Sequence, residues 1–335
     1  MKTRFVHFIH LRTLFTCAIF TICTFFGVNL SPAHADTWPN KTIKWIVPFS
    51  AGGANDLVAR TAAEAVGKRL RQTIIIENKP GAGATIGADY VAKSKADGYT
   101  FLVGAAGVVT NSFLREKMPY ADSDIVPVAM IAASPSVIVV HPSLPVNTLK
   151  EFIEYAKQQG KEGVNFATAG SGSTPDFVIE MLKDATGATF IAIPFKSGQE
   201  SVTGVLGNQV TATSESSVVV LPHIKAGKLK ALAATSEKPI SSYAVIPTTV
   251  SLGYPTIRIE HWAGLFAPKD TPQAIIDHMN AEIQVVLKSK DLQDKLIPSG
   301  IEPMPGSVAQ FAAFIAAERE RLGRIAKKAG MKSDH

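Results

Sequence analysis

Short β-branched and apolar runs alternate with stretches of helical period along most of this chain, and that alternation restricts the fold more than any other feature. Ile43 to Val47 reads as a buried strand. Beyond a glycine turn, Ala54, Leu57, Val58, Ala62, Ala65, Val66 and Leu70 recur at helical spacing. Thr73 to Glu77 reads as the next strand, Ala84 to Ser94 as a helix and Tyr99 to Val103 as a third strand. Such a βαβαβ order predicts a parallel sheet covered by helices. The pattern returns with a strand at Ser136 to Val140, a helix through Leu149, Phe152, Ile153 and Ala156, and a strand at Val164 to Thr168. A helix through Phe177, Met181 and Ala185 follows, then strands at Phe190 to Ile193, Val210 to Thr213 and Leu229 to Ala233. The last third holds an extended run, Ile257 to Phe266, and two helices, Ile275 to Leu287 and Val308 to Ile325. Two helices are too thin for a third domain, so the tail is expected to pack back on the first. A length of 335 residues fits two domains at about 150 residues each.

Residues 1–35 read as an address. Lys2, Arg4 and Arg12 precede an apolar run from Leu14 to Val28, and Ser31-Pro32-Ala33-His34-Ala35 offers small residues for cleavage after Ala35. This is the pattern of a secretory signal peptide, and the apolar run is short of the roughly 20 residues that span a bilayer. A lipoprotein reading fails because Thr16 and Ile22 precede Cys17 and Cys23. The mature chain then contains no cysteine and relies on large cores, which 46% hydrophobic residues can fill. Removing three of the 34 basic residues leaves 31 against 28 acids, a charge of +3. That mild, dispersed charge excludes nucleic acid as a partner. The expected location is the periplasm, as a monomer.

Two loops could carry chemistry. Phe49-Ser50-Ala51-Gly52-Gly53-Ala54-Asn55-Asp56 joins a strand to a helix, and so does Gly170-Ser171-Gly172-Ser173-Thr174-Pro175-Asp176. Small residues let a ligand approach the backbone, and the first-turn N–H groups and helix dipole make an anion site. Thr174 suits the N-cap and Pro175 the first helical position, and the hydroxyls of Ser171, Ser173 and Thr174 add donors. Facing each other across a cleft, the loops would clamp a carboxylate. Read alone, each is also an ordinary capped turn. A third run, Gly81 to Gly87, misses the dinucleotide spacing by one residue and reads as a turn that brings Gly83 and Ala84 near the ligand. No cofactor or metal is expected: the mature histidines, His223 among them at a presumed helix start, lack ligand spacing. A hydrolase using Ser173 with a remote His and Asp stays open, because triads assemble in space. Glu215, just past a predicted strand, and Lys196 read either as solvated loop residues or as cleft groups, Glu215 accepting from an amino or hydroxyl group.

The chain resembles the substrate-binding proteins of tripartite tricarboxylate transporters, the Bug family of periplasmic receptors. The resemblance spans the mature chain. It rests on Trp38-Pro39-Asn40-Lys41, Val47-Pro48-Phe49 with Gly52-Gly53 and Asp56, Glu77-Asn78-Lys79-Pro80-Gly81-Ala82-Gly83, Ala96-Asp97-Gly98-Tyr99-Thr100, Pro222-His223-Ile224-Lys225-Ala226-Gly227 and Trp262-Ala263-Gly264-Leu265-Phe266-Ala267-Pro268. It implies an α/β, two-lobe periplasmic-binding-protein-like fold of type II character, each lobe a mostly parallel sheet flanked by helices, with the ligand cleft between. Lobe 1 would comprise 36–133 and 257–335, and lobe 2 would comprise 134–256. Hinges are expected near Ile131 to Ser136 and Tyr254 to Trp262. The resemblance further implies capture of a small carboxylate without catalysis, held by Ser50 to Asn55 and Gly170 to Thr174, with Ala106 also at the ligand. Delivery would be to a membrane permease or to a sensor. Departures fall at Ala54 and Asn55 (often Gly and Thr), Asp176 (often His), Glu215 (often Asp) and Phe195-Lys196-Ser197-Gly198 (often Tyr-Lys-Gly-Gly). A clamp made of backbone survives these. Two acids at the far end, Asp176 and Glu215, would disfavour a second carboxylate and favour an amino, hydroxyl or ring-nitrogen donor.

Overall fold

The computed structural model describes residues 38–332. The expected leader, the cleavage site read after Ala35 and both cysteines lie outside the described residues. Five-residue strands β1 (Ile43–Val47), β2 (Ile74–Asn78) and β3 (Thr100–Gly104) pair in parallel, β2-β1-β3, through α1 (Ala54–Leu70) and α2 (Thr85–Ala92). The second set, β5 (Val164–Thr168), β6 (Phe190–Pro194) and β7 (Ala212–Ser216), pairs in parallel as β6-β5-β7. Its crossovers are α5 (Thr174–Thr186) and α6 (Gly198–Leu206), and α4 (Leu149–Gln158) leads into β5.

One strand joins the two sets. β4 (Ile125–Val140) runs for 16 residues. Its first part pairs antiparallel with β9 (Glu260–Pro268) and β10 (Glu302–Pro303), and its last five residues pair with β7 and β8 (Lys230–Ala234). Partners change at Pro135 and Ser136, where a residue without an N–H costs the ladder least. The sheet is therefore mixed, not mostly parallel: each three-stranded parallel block meets antiparallel β9 or β4. Only Ser136–Val140 of β4 was legible, because its first part carries Pro127, Ala129, Ala132, Ala133 and Pro135, poor strand formers that work here because the strand is buried. The segment expected as a hinge, Ile131 to Ser136, is thus continuous strand.

Alternation across the strands builds two cores per block. Trp45, Val47, Phe101 and Val103 face α1 and α8 (Gln273–Leu287), while Ile46 and Leu102 face Trp262, Phe266 and Phe311 on the other side. In the second block Ile138, Val140 and Phe166 face one layer, and Val137, Val139 and Ala167 the other. The last helix, α10 (Val308–Ala329), puts Phe311 into the first block's core and Leu322 and Ala326 into the second's. So the tail packs on both blocks, not on the first alone.

Several elements differ from expectation. Helices α3 (Ala106–Leu114), α6 and α9 (Lys290–Leu296) were not anticipated. The N-cap of α5 is Ser173, one residue before Thr174. His223 lies in the last turn of α7 (Ser217–Lys225) instead of at a helix start. Glu215 lies inside β7 instead of past it.

An aromatic cluster in the first block depends on a missing side chain. Phe311 packs on Phe266 at 5.2 Å and on Trp262 at 6.1 Å between ring centroids, and a Cβ at Gly264 would overlap the Phe311 ring. Gly264→Ala is expected to lower stability by about 2–3 kcal/mol through overpacking, read as a reduced urea midpoint. An unchanged midpoint would show that the rings can step aside.

Candidate functional site

The two strand-to-helix loops are built alike. In the first, Gly52 takes φ +83°, a conformation glycine adopts without strain, and its N–H donates to Asp56 Oδ2 at 2.9 Å. In the second, Gly172 takes φ +76° and its N–H donates to Asp176 Oδ2 at 2.8 Å. A carboxylate four residues beyond a left-handed glycine thus fastens each loop to its own helix. Neither α1 nor α5 has a side-chain hydrogen bond at its N-cap, so first-turn N–H groups are left to meet a ligand. A Cβ at Gly52 or at Gly170 would meet nothing within 4 Å, so both loops border open space.

Surroundings set the two acids apart. Asp56, 3% exposed, also accepts from Arg60 Nε at 2.9 Å, Arg60 Nη2 at 3.0 Å and Asn78 Nδ2 at 2.9 Å. Burial pushes its carboxyl up, but the bonds from Arg60, Gly52 and Asn78 more than offset this and hold it below the usual carboxylate range. Asn78 also donates to Phe49 O at 3.0 Å, tying the loop's start to its anchor. Asp176 lacks such a set: burial raises it, with Gly172 N–H in partial opposition.

Two of the second loop's three hydroxyls are not free donors. Ser171 Oγ donates to Lys332 O at 2.5 Å and Ser173 Oγ donates to Gly170 O at 2.6 Å. Each hydroxyl has one proton, so the added donors expected from Ser171 and Ser173 are committed to backbone, and neither serine is paired with an imidazole. At the third turn, Gly83 O accepts from Asn111 Nδ2 at 2.7 Å. Ala84 is buried at 2% exposure, closed into the corner where Ala106 starts α3. Lys196 is exposed, its N–H donating to Glu200 Oε2 at 3.2 Å.

The blocks meet beside the first loop. The Cβ direction of Gly53 points toward Gln199 Nε2 of α6, 3.7 Å away, and Asn55 Nδ2 donates to Trp262 O at 3.4 Å. A small recess of about 10 Å³, room for about one water-sized group, is lined there by Ala54, Asn55, Ser134, His261 and Trp262, among others. Next to it Glu215, 4% exposed, presses its carboxylate against Gly198, the first residue of α6. Glu215 is therefore no solvated loop acid. A larger surface groove of about 560 Å³ lies elsewhere, between α5 and α10. Its cations Lys183, Arg258, Arg321, Arg324 and Lys328 pair with Glu180, Glu237, Glu318, Glu320 and Asp184, leaving no unmet cation among the described residues to recruit a ligand.

The family model for the tripartite tricarboxylate transporter family receptor matches residues 58–331. The chain belongs to this receptor family. Protein BugT of Bordetella pertussis is 35% identical over 305 residues, covering 90% of this chain and 93% of BugT. An R. palustris protein solved with adipate superposes with a TM-score of 0.82 at 32% identity, over 88% of this chain and 99% of that one. MatC from Rhodopseudomonas palustris with bound malate gives 0.77 at 28%, over 86% and 99%. The fold is accordingly the α/β periplasmic-binding-protein-like one. The chain is a solute-binding receptor of the periplasmic type and not an enzyme, which closes the hydrolase reading. Among the described residues no helix is long and apolar enough to cross a membrane.

Sequence reading of this receptor missed four residues. Arg60 had a usable signal, since it sits four residues after Asp56 on a predicted helix. Asn78, a polar residue closing an Ile-rich strand, was visible only as part of the family pattern. Gln199 was hidden with α6. His261, lone and strand-borne, offered no spacing to read.

Proposed function

We propose that this receptor captures a small carboxylate between Ser50 to Asn55 and Gly170 to Thr174, and closes on it by movement of lobe 1 (36–133 and 257–335) against lobe 2 (134–256). The loaded receptor then delivers the acid to a membrane permease of the tripartite type. The reading is carried by the duplicated loop construction: two left-handed glycines, each fastened by an acid four residues on, present uncapped helix starts that favour an anion. The relatives solved with adipate and malate support the substrate class. On this reading Asp56 and Asp176 shape the loops and do not touch the ligand, and Glu215 faces its far end.

Native mass spectrometry of the protein as purified is expected to show a retained small acid. In a thermal-shift series of mono-, di- and substituted carboxylates, an acid at 100 times its Kd is expected to stabilise by about 2.7 kcal/mol. A series in which no carboxylate raises Tm would overturn the reading.

A further inference from the structure

Two buried groups at the meeting of the blocks lack partners. Glu215 Oε1 and His261 Nε2 are both shut from solvent with no hydrogen bond among the described residues. Glu215 Oε2 lies 3.9 Å from His261 Nε2, outside hydrogen-bond range. Buried polar atoms are almost always paired, and leaving one unpaired is costly. The position is specific. Glu215 comes from β7 and His261 from β9, and His261 also walls the recess shared with Ala54 and Asn55 at the start of α1. A Cβ on Gly198 would stand 2.5 Å from Glu215 Oε2, so glycine there lets α6 begin directly on the carboxylate.

We propose that Glu215 and His261 form one subsite for the far end of the ligand and that they take a hydroxyl group, making the preferred ligand a hydroxy acid. This rests on the carboxylate-receptor reading above. A hydroxyl both donates and accepts, so a single oxygen between the two side chains satisfies both. The surroundings select a neutral group. Burial pushes Glu215 up to about 8, opposed only by the Ser216 N–H, and burial pushes His261 down to about 4. Near pH 7 a carboxylic acid therefore faces a neutral imidazole. A second ligand carboxylate would bring an unbalanced charge into this dry corner, and an ammonium would be balanced only if Glu215 first lost its proton to solvent. A hydroxyl needs neither. Asp176, the other acid expected at the far end, is fastened to Gly172 N–H and leaves this role to His261.

Calorimetric titration of the full receptor with matched four- to six-carbon acids tests this, each acid taken unsubstituted, hydroxylated, aminated and as the diacid. A hydroxy acid is expected to bind about tenfold or more tighter than its unsubstituted parent. That ratio should collapse toward one in Glu215→Ala and in His261→Phe. Glu215→Gln, whose amide both donates and accepts, should keep most of it, and serves if the alanine variant does not fold. Unsubstituted acids binding as well as hydroxylated ones would overturn the subsite and leave the receptor reading intact. So would a hydroxyl preference indifferent to all three substitutions, or a preference for amino acids or diacids that Glu215→Gln removes. Failure of every acid to bind would instead overturn the receptor reading itself.

Discussion

Asp56→Ala is expected to lose carboxylate binding by roughly 100-fold or more and to cost about 3 kcal/mol of stability. The substitution takes the acceptor from four bonds at once, from Gly52 N–H, two Arg60 nitrogens and Asn78. Arg60 is half exposed and can rehydrate, which keeps the stability loss below that of a fully buried pair. The Gly52 N–H can also turn to water, but without Asp56 it no longer ties the left-handed turn to the helix, and the amides at the start of α1 lose their fixed direction. Asp56→Asn should fall between, since an amide oxygen still accepts from Gly52 but cannot match the Arg60 fork. Asp176→Ala should impair binding comparably at a smaller cost in stability, because that carboxylate serves Gly172 alone and burial already disfavours its charge. The folded pKa of Asp56 is depressed, so its contribution is full above the ordinary 3.8 and is lost only as pH falls through the lower folded value. Titration calorimetry and urea unfolding at neutral pH check both effects. Wild-type affinity in Asp56→Ala would mean that the loop is held by something other than this carboxylate.

The loops were legible because glycine and a helix-starting acid leave a local signature: Gly52 with Asp56, and Gly172 with Asp176, are four residues apart in sequence as in function. What the sequence hid was tertiary. α6, Gly-Gln-Glu-Ser-Val-Thr-Gly-Val-Leu, carries two glycines and three β-branched residues and forms because Val202 and Val205 bury against β5 and β7. The first part of β4 reads as a small-residue linker and becomes a strand because β9 covers it. Those two omissions hid the subsite. With α6 unread, Gly198 gave no reason for Glu215 to be enclosed. With β7 ended at Thr213, Glu215 fell in a loop where an acid is unremarkable. His261 comes 46 residues after Glu215, on a strand whose position beside β4 only the folded sheet defines.

The burial of Glu215 and His261 should also be readable in the stability of the ligand-free receptor. Glu215 rises from an ordinary 4.5 to about 8, so between these values the folded state holds a proton that the unfolded chain has released, and stability falls with rising pH. His261 drops from 6.5 to about 4, so in that interval the unfolded chain holds the extra proton and stability rises with pH. From about pH 4.5 to 6.5 the two slopes oppose each other and the pair contributes a nearly flat profile. Above 6.5 only Glu215 acts, and the receptor is expected to lose about 2 kcal/mol by pH 8 at 1.36 kcal/mol per pH unit. Each substitution should expose the other's slope. Glu215→Gln should remove the loss above pH 6.5 and reveal a rise of about 3 kcal/mol from pH 4 to 6.5. His261→Phe should leave Glu215 alone, with a decline of about 5 kcal/mol spread from pH 4.5 to 8. Urea unfolding of the three proteins at half-unit pH steps, with the ligand removed by refolding, measures all three profiles. Profiles of the two variants that run parallel to the wild type would mean that both groups are solvated in the free receptor, and that the enclosure of Glu215 by Gly198 opens in solution.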